Sequence, residues 1–414
     1  CLTEPHAGSD LGLASTKAVP QADGSYLISG TKIFISGGEH DLSDNIVHLV
    51  LARLPDAPPG PKGLSLFLVP KFYADSTRSA VHCERIEEKM GIHGSPTCVM
   101  RFDEARAWLV GEVGRGLNAM FVMMNAARLH VALQGVGLLD AAWQKADAYA
   151  HERRQMRAPR SKGASQSMAG EKGTAPADLI IEHPAMRRIL DTQRAWVDGA
   201  RVLAYETGLA LDEAKHHPDA AHREAAQRWC ALITPILKAS CTDQGFHGAS
   251  ECLQVFGGHG YVSEWGIEQN VRDARIAMIY EGTNEIQAID LLMRKVVSDG
   301  GAALSAMLAH LSQGLSKNNA HEAQVLHLFE QLQATTRTCL DAAQRSDGQV
   351  RLSWIAGDYL RVATLALLAW GWTRIETADG SDAARWQAPA AALRAWVLPE
   401  FAMRASIIDA QLKA

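Results

Sequence analysis

Hydrophobic and polar positions alternate in two distinct textures along the chain. Up to residue 113, apolar residues come in short runs rich in β-branched and aromatic side chains, bounded by Gly and Pro. The stretch Tyr26-Leu-Ile-Ser-Gly-Thr-Lys-Ile-Phe-Ile35 surrounds a glycine and predicts a hairpin. Residues 45–54 and 63–69 predict further strands, separated by a Pro-rich surface loop at 55–62. Residues 98–102 and 107–110 close this β-rich part.

After Gly116 the period changes to that of a helix. Residues 117–156 carry many Ala, Leu and Met and few breakers, which predicts one long amphipathic helix with a break. Residues 157–177, rich in Ala, Gly, Ser, Lys and Pro, read as a mobile insertion. Helical patterning resumes at 184–215 and 220–256, and a further helix follows Asn284 to about Val297. Long helices joined by short loops make a bundle. Beyond Asp299-Gly-Gly301, residues 302–315, 320–344, 350–377 and 382–412 also read as helices. The run 363–372 is apolar on most faces and must bury its surface. The chain therefore divides at 1–113, 114–297 and 298–414.

Composition narrows the class. At 414 residues there is room for two or three cores. A net charge of −5 gives no electrostatic footprint for nucleic acid. No stretch approaches the roughly 20 uninterrupted apolar residues of a membrane span. Seven cysteines without a C-x-x-C pair argue against zinc and disulfide frameworks, and favour reduced thiols in the cytoplasm. The first residues lack the n-region and h-region of a signal peptide, and the chain begins without Met, in mid-motif, so it reads as a fragment.

Four segments carry candidate chemistry. Glu281 lies in Met278-Ile-Tyr-Glu-Gly-Thr-Asn-Glu-Ile-Gln287, an apolar and aromatic run ending at a glycine. A carboxylate held among apolar neighbours and delivered by a turn has the makings of a general base, the alternative being a helix N-terminal carboxylate that favours the dipole. Upstream lies Gln254-Val-Phe-Gly-Gly-His-Gly-Tyr261, read as a tight turn without room for side chains; its His259 reads as a loop-packing residue. In Thr3-Glu-Pro-His-Ala-Gly-Ser-Asp10, a turn would expose backbone N–H groups at Gly8 and Ser9, or be loop punctuation alone. Alternation puts Phe34 and Ser36 on one side of a strand, a flat ring beside a hydroxyl.

Taken together these segments resemble the acyl-CoA dehydrogenase family. Cys1-Leu-Thr-Glu-Pro-His-Ala-Gly-Ser-Asp10 is similar to its first signature and Tyr280-Glu-Gly-Thr-Asn-Glu-Ile-Gln287 to its second. The Phe34 strand, Glu88-Lys-Met-Gly-Ile92, Arg153 and the 254–261 turn fall between them in family order. The resemblance runs from residue 1 to about 297, and the last hundred or so residues resemble the helical extension of longer bacterial members. It implies an α+β multidomain fold: a β-barrel-like middle domain, a four-helix bundle and an extra C-terminal helical domain, without the family's N-terminal helical domain.

The resemblance also implies an FAD-dependent α,β-dehydrogenation of an acyl-CoA, a step of fatty-acid β-oxidation, with electrons passed to an electron-transfer flavoprotein. Glu281 would be the base, and Ile279 and Tyr280 would exclude water from it. Leu2, Thr3, Gly8, Ser9, Phe34, Ser36, Thr283 and Glu285 match flavin-contacting positions. Arg153, His183, Gln254, Gly257 and Gly258 match positions reaching the FAD of a neighbouring subunit, which implies a homodimer or larger assembly. Ser9, Asn125, Arg128, Tyr280 and Gly282 match substrate-contacting positions. Phe34 stands where Trp is commoner, and Pro184 follows His183 where Gln is usual. Two other readings share the resemblance: an acyl-CoA oxidase, and a flavin-containing DNA-binding alkylation-response protein, the second disfavoured by the acidic balance.

Overall fold

A computed structural model describes residues 1–159, 177–378 and 382–413, apart from the side chain of Asn125. Almost all of the expected insertion at 157–177 lies outside the described residues. The chain forms two compact units, Cys1–Ala127 and Arg128–Ala414.

The first unit is a barrel built from β1 (Lys17–Pro20), β2 (Tyr26–Ser36), β3 (Val47–Arg53), β4 (Leu64–Pro70), β5 (Val81–Ile86) and β6 (Thr97–Val110). The order β2-β1-β3-β4-β6-β5 is closed by an additional β2–β6 pairing, and β5 lies beside β6. All pairings are antiparallel except the β1–β3 seam, a single parallel pair, Lys17↔Arg53. Ile28, Val50, Phe67, Val69, Met100 and Phe102 fill the interior.

The expected hairpin at 26–35 is instead one strand. Gly30 does not turn the chain; it sits at a register shift against β6, where a Cβ would come 2.5 Å from Thr16 Oγ1. The runs 98–102 and 107–110 are likewise one strand, bent at Glu104 (φ 55°) where β6 carries one extra residue. Bulges of this kind bend a strand without ending it.

The second unit is helical. Its elements are α1 (Gly116–Glu152, from Arg128 onward), α2 (Pro184–His216), α3 (Ala220–Val255), α4 (Ile267–Arg275), α5 (Asn284–Ile289), α6 (Ala302–Leu311), α7 (Ala320–Ala343), α8 (Gly348–Thr377), α9 (Ala383–Ala392) and α10 (Glu400–Lys413). A π-helical turn, Asp290–Val297, carries α5 on, so the helix expected from Asn284 to Val297 is continuous but changes pitch. Packing groups the chain differently from the three segments read from composition. The first unit runs on to Ala127, and one apolar core extends from Leu129 to Leu412.

Helix α8 explains that shared core. By length and composition alone it could cross a membrane, but Val362–Thr373 is wholly buried within the unit. Trp372 donates its indole N–H to Ala195 O on α2 at 2.9 Å, and the Tyr359 hydroxyl pairs with Thr336 on α7 at 2.7 Å. The all-round apolar run therefore faces the bundle on one side and the extension on the other.

Candidate active site

The loop that carries Glu281 is held by its neighbours in sequence and by distant residues. Arg275 passes into a short 3₁₀ turn, Ile276–Met278, and α5 begins after Thr283, whose hydroxyl accepts from Ile286 N at 3.3 Å. Between them Glu281 has φ 55° and Gly282 φ 87°. A non-glycine residue in this region costs about 1–3 kcal/mol and persists only where surrounding contacts over-determine it. Those contacts are present. Gln287, wholly buried, donates through Nε2 to Glu281 O at 3.2 Å and Gly282 O at 3.3 Å. Lys238, also wholly buried, donates to Gly282 O at 2.7 Å and to Asn284 Oδ1 at 3.0 Å. The Tyr280 hydroxyl donates to Gln134 Oε1 on α1. A Cβ on Gly282 would fall 2.5 Å from Gln287 Nε2, so glycine is required there by space as well as by φ.

Electrostatics follow the same geometry. Burial and the nearby Arg128 guanidinium push Lys238 down from 10.5 to about 8, and the Glu281 carboxylate pulls the other way. Burial raises the Tyr280 phenol, partly offset by its bond to Gln134. The Glu281 side chain is half-buried, and among the described residues its amide N–H makes no hydrogen bond. Carboxylate and N–H are thus both presented by one left-handed residue. One expectation fails: Ile279 is 46% exposed, so it is not packed over the carboxylate as the apolar run suggested. Tyr280 is half-buried through its hydrogen bond to Gln134.

In the barrel unit, Glu4 is the anchor of the first motif, and its role was not visible in sequence. Its carboxylate, 3% exposed, accepts from Ser15 N, Ser15 Oγ, Thr16 N and the wholly buried Lys32 Nζ, the last at 2.8 Å. Lys32 also reaches Leu2 O, and Ile33 N donates to Thr3 O. These bonds fix the Leu2–Thr3 backbone against β2 and leave Gly8 and Ser9 exposed, with no hydrogen bond from their N–H groups among the described residues. Phe34 is 61% exposed at φ 59°, in a bulge between Lys32 and Ile35, and Ser36 is exposed near it. Both side chains do face outward, but the bulge interrupts the regular alternation from which this was expected.

The remaining expected residues lie elsewhere in the helical unit. Arg153 follows α1, and Ile180 N donates to its carbonyl at 2.8 Å; His183 is the N-cap residue of α2 without a side-chain cap bond, its Nε2 lying instead 2.9 Å from Gln155 O. Gln254, Gly257 and Gly258 are exposed. Nothing lies within 4 Å of a Cβ on either of those glycines; only Gly260, 2.7 Å from Leu253 O, is crowded, which corrects the picture of a turn without room. His259 packs as expected of a loop residue, 2.9 Å from the Tyr149 hydroxyl and stacked on Trp265 at 4.6 Å. Among the described residues no cluster of His, Cys, Asp and Glu could hold a metal. Glu285 is exposed, Arg128 half-buried near Gly282, and the Asn125 side chain lies outside the described residues. The Arg272 charge pairs with Glu268 one turn back on α4, and Arg275 lies over the Phe246 ring.

Residues 1–105 match the family description acyl-CoA dehydrogenase, middle domain, and residues 171–296 match acyl-CoA dehydrogenase, C-terminal domain. The chain is 43% identical over 398 residues to 3-methylmercaptopropionyl-CoA dehydrogenase of Ruegeria pomeroyi, covering 92% of this chain and 66% of that protein. The chain belongs to the acyl-CoA dehydrogenase family. This is a family of oxidoreductases acting on CH–CH groups. The broad-specificity linear acyl-CoA dehydrogenase FadE5 of Mycobacterium tuberculosis is 42% identical, over 75% of this chain and 51% of its own length. The chain thus spans between about half and two thirds of these relatives. In fold it is similar to an acyl-CoA dehydrogenase from Bacillus anthracis, complexed with FAD, at a TM-score of 0.77 and 22% identity, over 98% of this chain. That enzyme is covered over 68% of its length.

Proposed function

We propose that the protein dehydrogenates an acyl-CoA thioester to the trans-2-enoyl-CoA, with Glu281 as the base. The observation that carries this is the posture of Glu281: a half-buried carboxylate and an uncommitted amide N–H on one left-handed residue, gripped from two sides. A base so placed takes the α-proton, while its own N–H donates to the thioester oxygen as negative charge develops there, in the manner of an oxyanion hole. Tyr280, Gly282 and Arg128 flank that position, and with Ser9 and Asn125 they are the residues assigned to the substrate.

FAD, when bound, supplies the acceptor for the β-hydride. The residues present fit such a group: Phe34 offers an exposed flat ring, Ser36 an exposed hydroxyl, and Gly8 and Ser9 exposed N–H donors. Leu2, Thr3, Thr283 and Glu285 complete the assigned set. Arg153, His183, Gln254, Gly257 and Gly258 are assigned to the FAD of a second subunit, which makes the protein at least a homodimer. In this proposal the electrons go to an electron-transfer flavoprotein, and the protein works in the cytoplasm.

The test uses the full-length flavoprotein under anaerobic conditions with a panel of acyl-CoAs. Bleaching of the oxidised flavin band by at least one member is expected. Glu281→Gln should slow that bleaching by about 10²–10⁴-fold, the usual contribution of general-base catalysis, while leaving the flavin bound. Equal rates in variant and wild type would remove Glu281 from the role.

A further inference from the structure

A charged side chain sealed inside a helix is expensive to fold around, so its partners identify its purpose. Lys238 follows Thr234-Pro-Ile-Leu on α3 and is wholly buried, with Ile236, Leu237 and Ala239 buried beside it. Its two acceptors, Gly282 O and Asn284 Oδ1, both belong to the Glu281 loop. One turn on, Thr242 Oγ1 lies 3.1 Å from the same Asn284 Oδ1, and Asn284 Nδ2 donates back to Ala239 O at 3.1 Å. From the far side Gln287 holds the carbonyls of 281 and 282. The peptide planes after Glu281 are therefore fixed between α3 and α5.

The geometry points to Lys238 as the positioning residue of the base, a clamp that holds Glu281 in its left-handed posture without touching the reacting atoms. This rests on the reading of Glu281 as the base. A purely structural lysine would gain its hydrogen bonds from its own helix or from the core; here both acceptors, Gly282 O and Asn284 Oδ1, lie on the loop that presents the carboxylate. The fold has other supports at the same point, since Gln287 keeps both carbonyls engaged and Thr242 keeps Asn284. Removing the ammonium should consequently loosen the loop and spare the bundle.

Two measurements on the full-length holoenzyme test this. The first is anaerobic stopped-flow flavin reduction, using whichever of butanoyl-, octanoyl- and palmitoyl-CoA reduces the wild type fastest. Lys238→Met should reduce flavin about 10²-fold more slowly, the scale of a misplaced catalytic group. Flavin content and substrate KM should hold, and Lys238→Arg, which restores charge and donors, should recover part of the loss. A rate equal to wild type, or one lost only in step with lost flavin, overturns the proposal. The second is amide hydrogen exchange, which needs no activity: residues 279–285 should exchange faster in Lys238→Met, with α2 unchanged. If that variant does not fold, Asn284→Ala takes its place with the same expectation in smaller degree, and unchanged loop exchange overturns the clamp. Should no acyl-CoA reduce the wild type, the assigned reaction fails, while the exchange result still decides whether Lys238 holds the loop.

Discussion

Phe34 and Glu281 are both held in a backbone region that large side chains avoid, at φ 59° and 55°, and both carry assigned chemistry. The Glu281 loop is stabilised by neighbours near and far in sequence. Gln287 shares the second signature, but Lys238 stands 43 positions before Gly282's neighbour Glu281, and the only local hint was a lone charge in an apolar helical run. Glu4 reads in sequence as part of a turn, yet its partner Lys32 lies 28 residues on, in β2. The motif residues were legible because the family resemblance names them; their supports were not, because the contacts are non-local. Gly282→Ala should show how narrow the tolerance is, with flavin reduction by acyl-CoA slowed about tenfold or more as the new Cβ displaces Gln287 Nε2. Wild-type rates in that variant would show that the loop can shift freely.

The Glu4–Lys32 pair also gives a pH dependence. Burial alone would raise the Glu4 carboxyl, but Lys32 and the Ser15 and Thr16 donors outweigh it and bring the value from 4.5 down to about 2. Lys32 itself stays below 10.5, since burial outweighs the pull of Glu4, so the carboxylate is the member that gains. A folded value below the unfolded one means stabilisation that is complete above pH 4.5 and fades as pH falls towards 2. Urea unfolding midpoints should drop through that window. In Glu4→Gln the drop should flatten, while stability at neutral pH falls by about 3–5 kcal/mol because a buried ammonium loses its partner. A variant with an unaltered neutral midpoint would contradict this.

At the scale of elements, period and composition were informative for helices and less so for strands. The ends of α2, α3, α7 and α8 lie within two residues of where apolar periodicity places them. β1 and β5 gave no signal, being short and mostly exposed. Gly30 looked like a turn because glycine is equally at home in a bulge, and only the β2–β6 register separates the two. Helix α8 was legible as buried, but not which surfaces it joins. Trp372→Ala tests that join: the side chain is 1% exposed and bonded to Ala195 O, so its loss should cost about 3–5 kcal/mol in chemical denaturation. A cost below about 1 kcal/mol, the scale of a surface substitution, would mean that α8 packs more loosely than described.

For the whole molecule, the continuous core from Leu129 to Leu412 ties the extension to the bundle. A protein ending at Val297 would leave the α2 and α3 surfaces that meet α8 without cover. It should be insoluble or bind a hydrophobic dye strongly, measured against the intact chain; a soluble, cooperatively unfolding product would show the extension to be an independent module. Such dependence was not visible in composition, because Asp299-Gly-Gly301 punctuates a turn and says nothing about what packs across it.

The closure of β2 onto β6 bears on how the barrel unit fares before its partners arrive. A ring of paired strands offers no row of unsatisfied N–H and C=O groups to another chain. Strand β5, at the end of the strand order, is paired on one side only, with β6. It is six residues long, and its outward positions include His82, Glu84 and Arg85. A short, charged selvedge of that kind templates aggregation poorly, so the newly made barrel carries its own protection while the helices are still being synthesised.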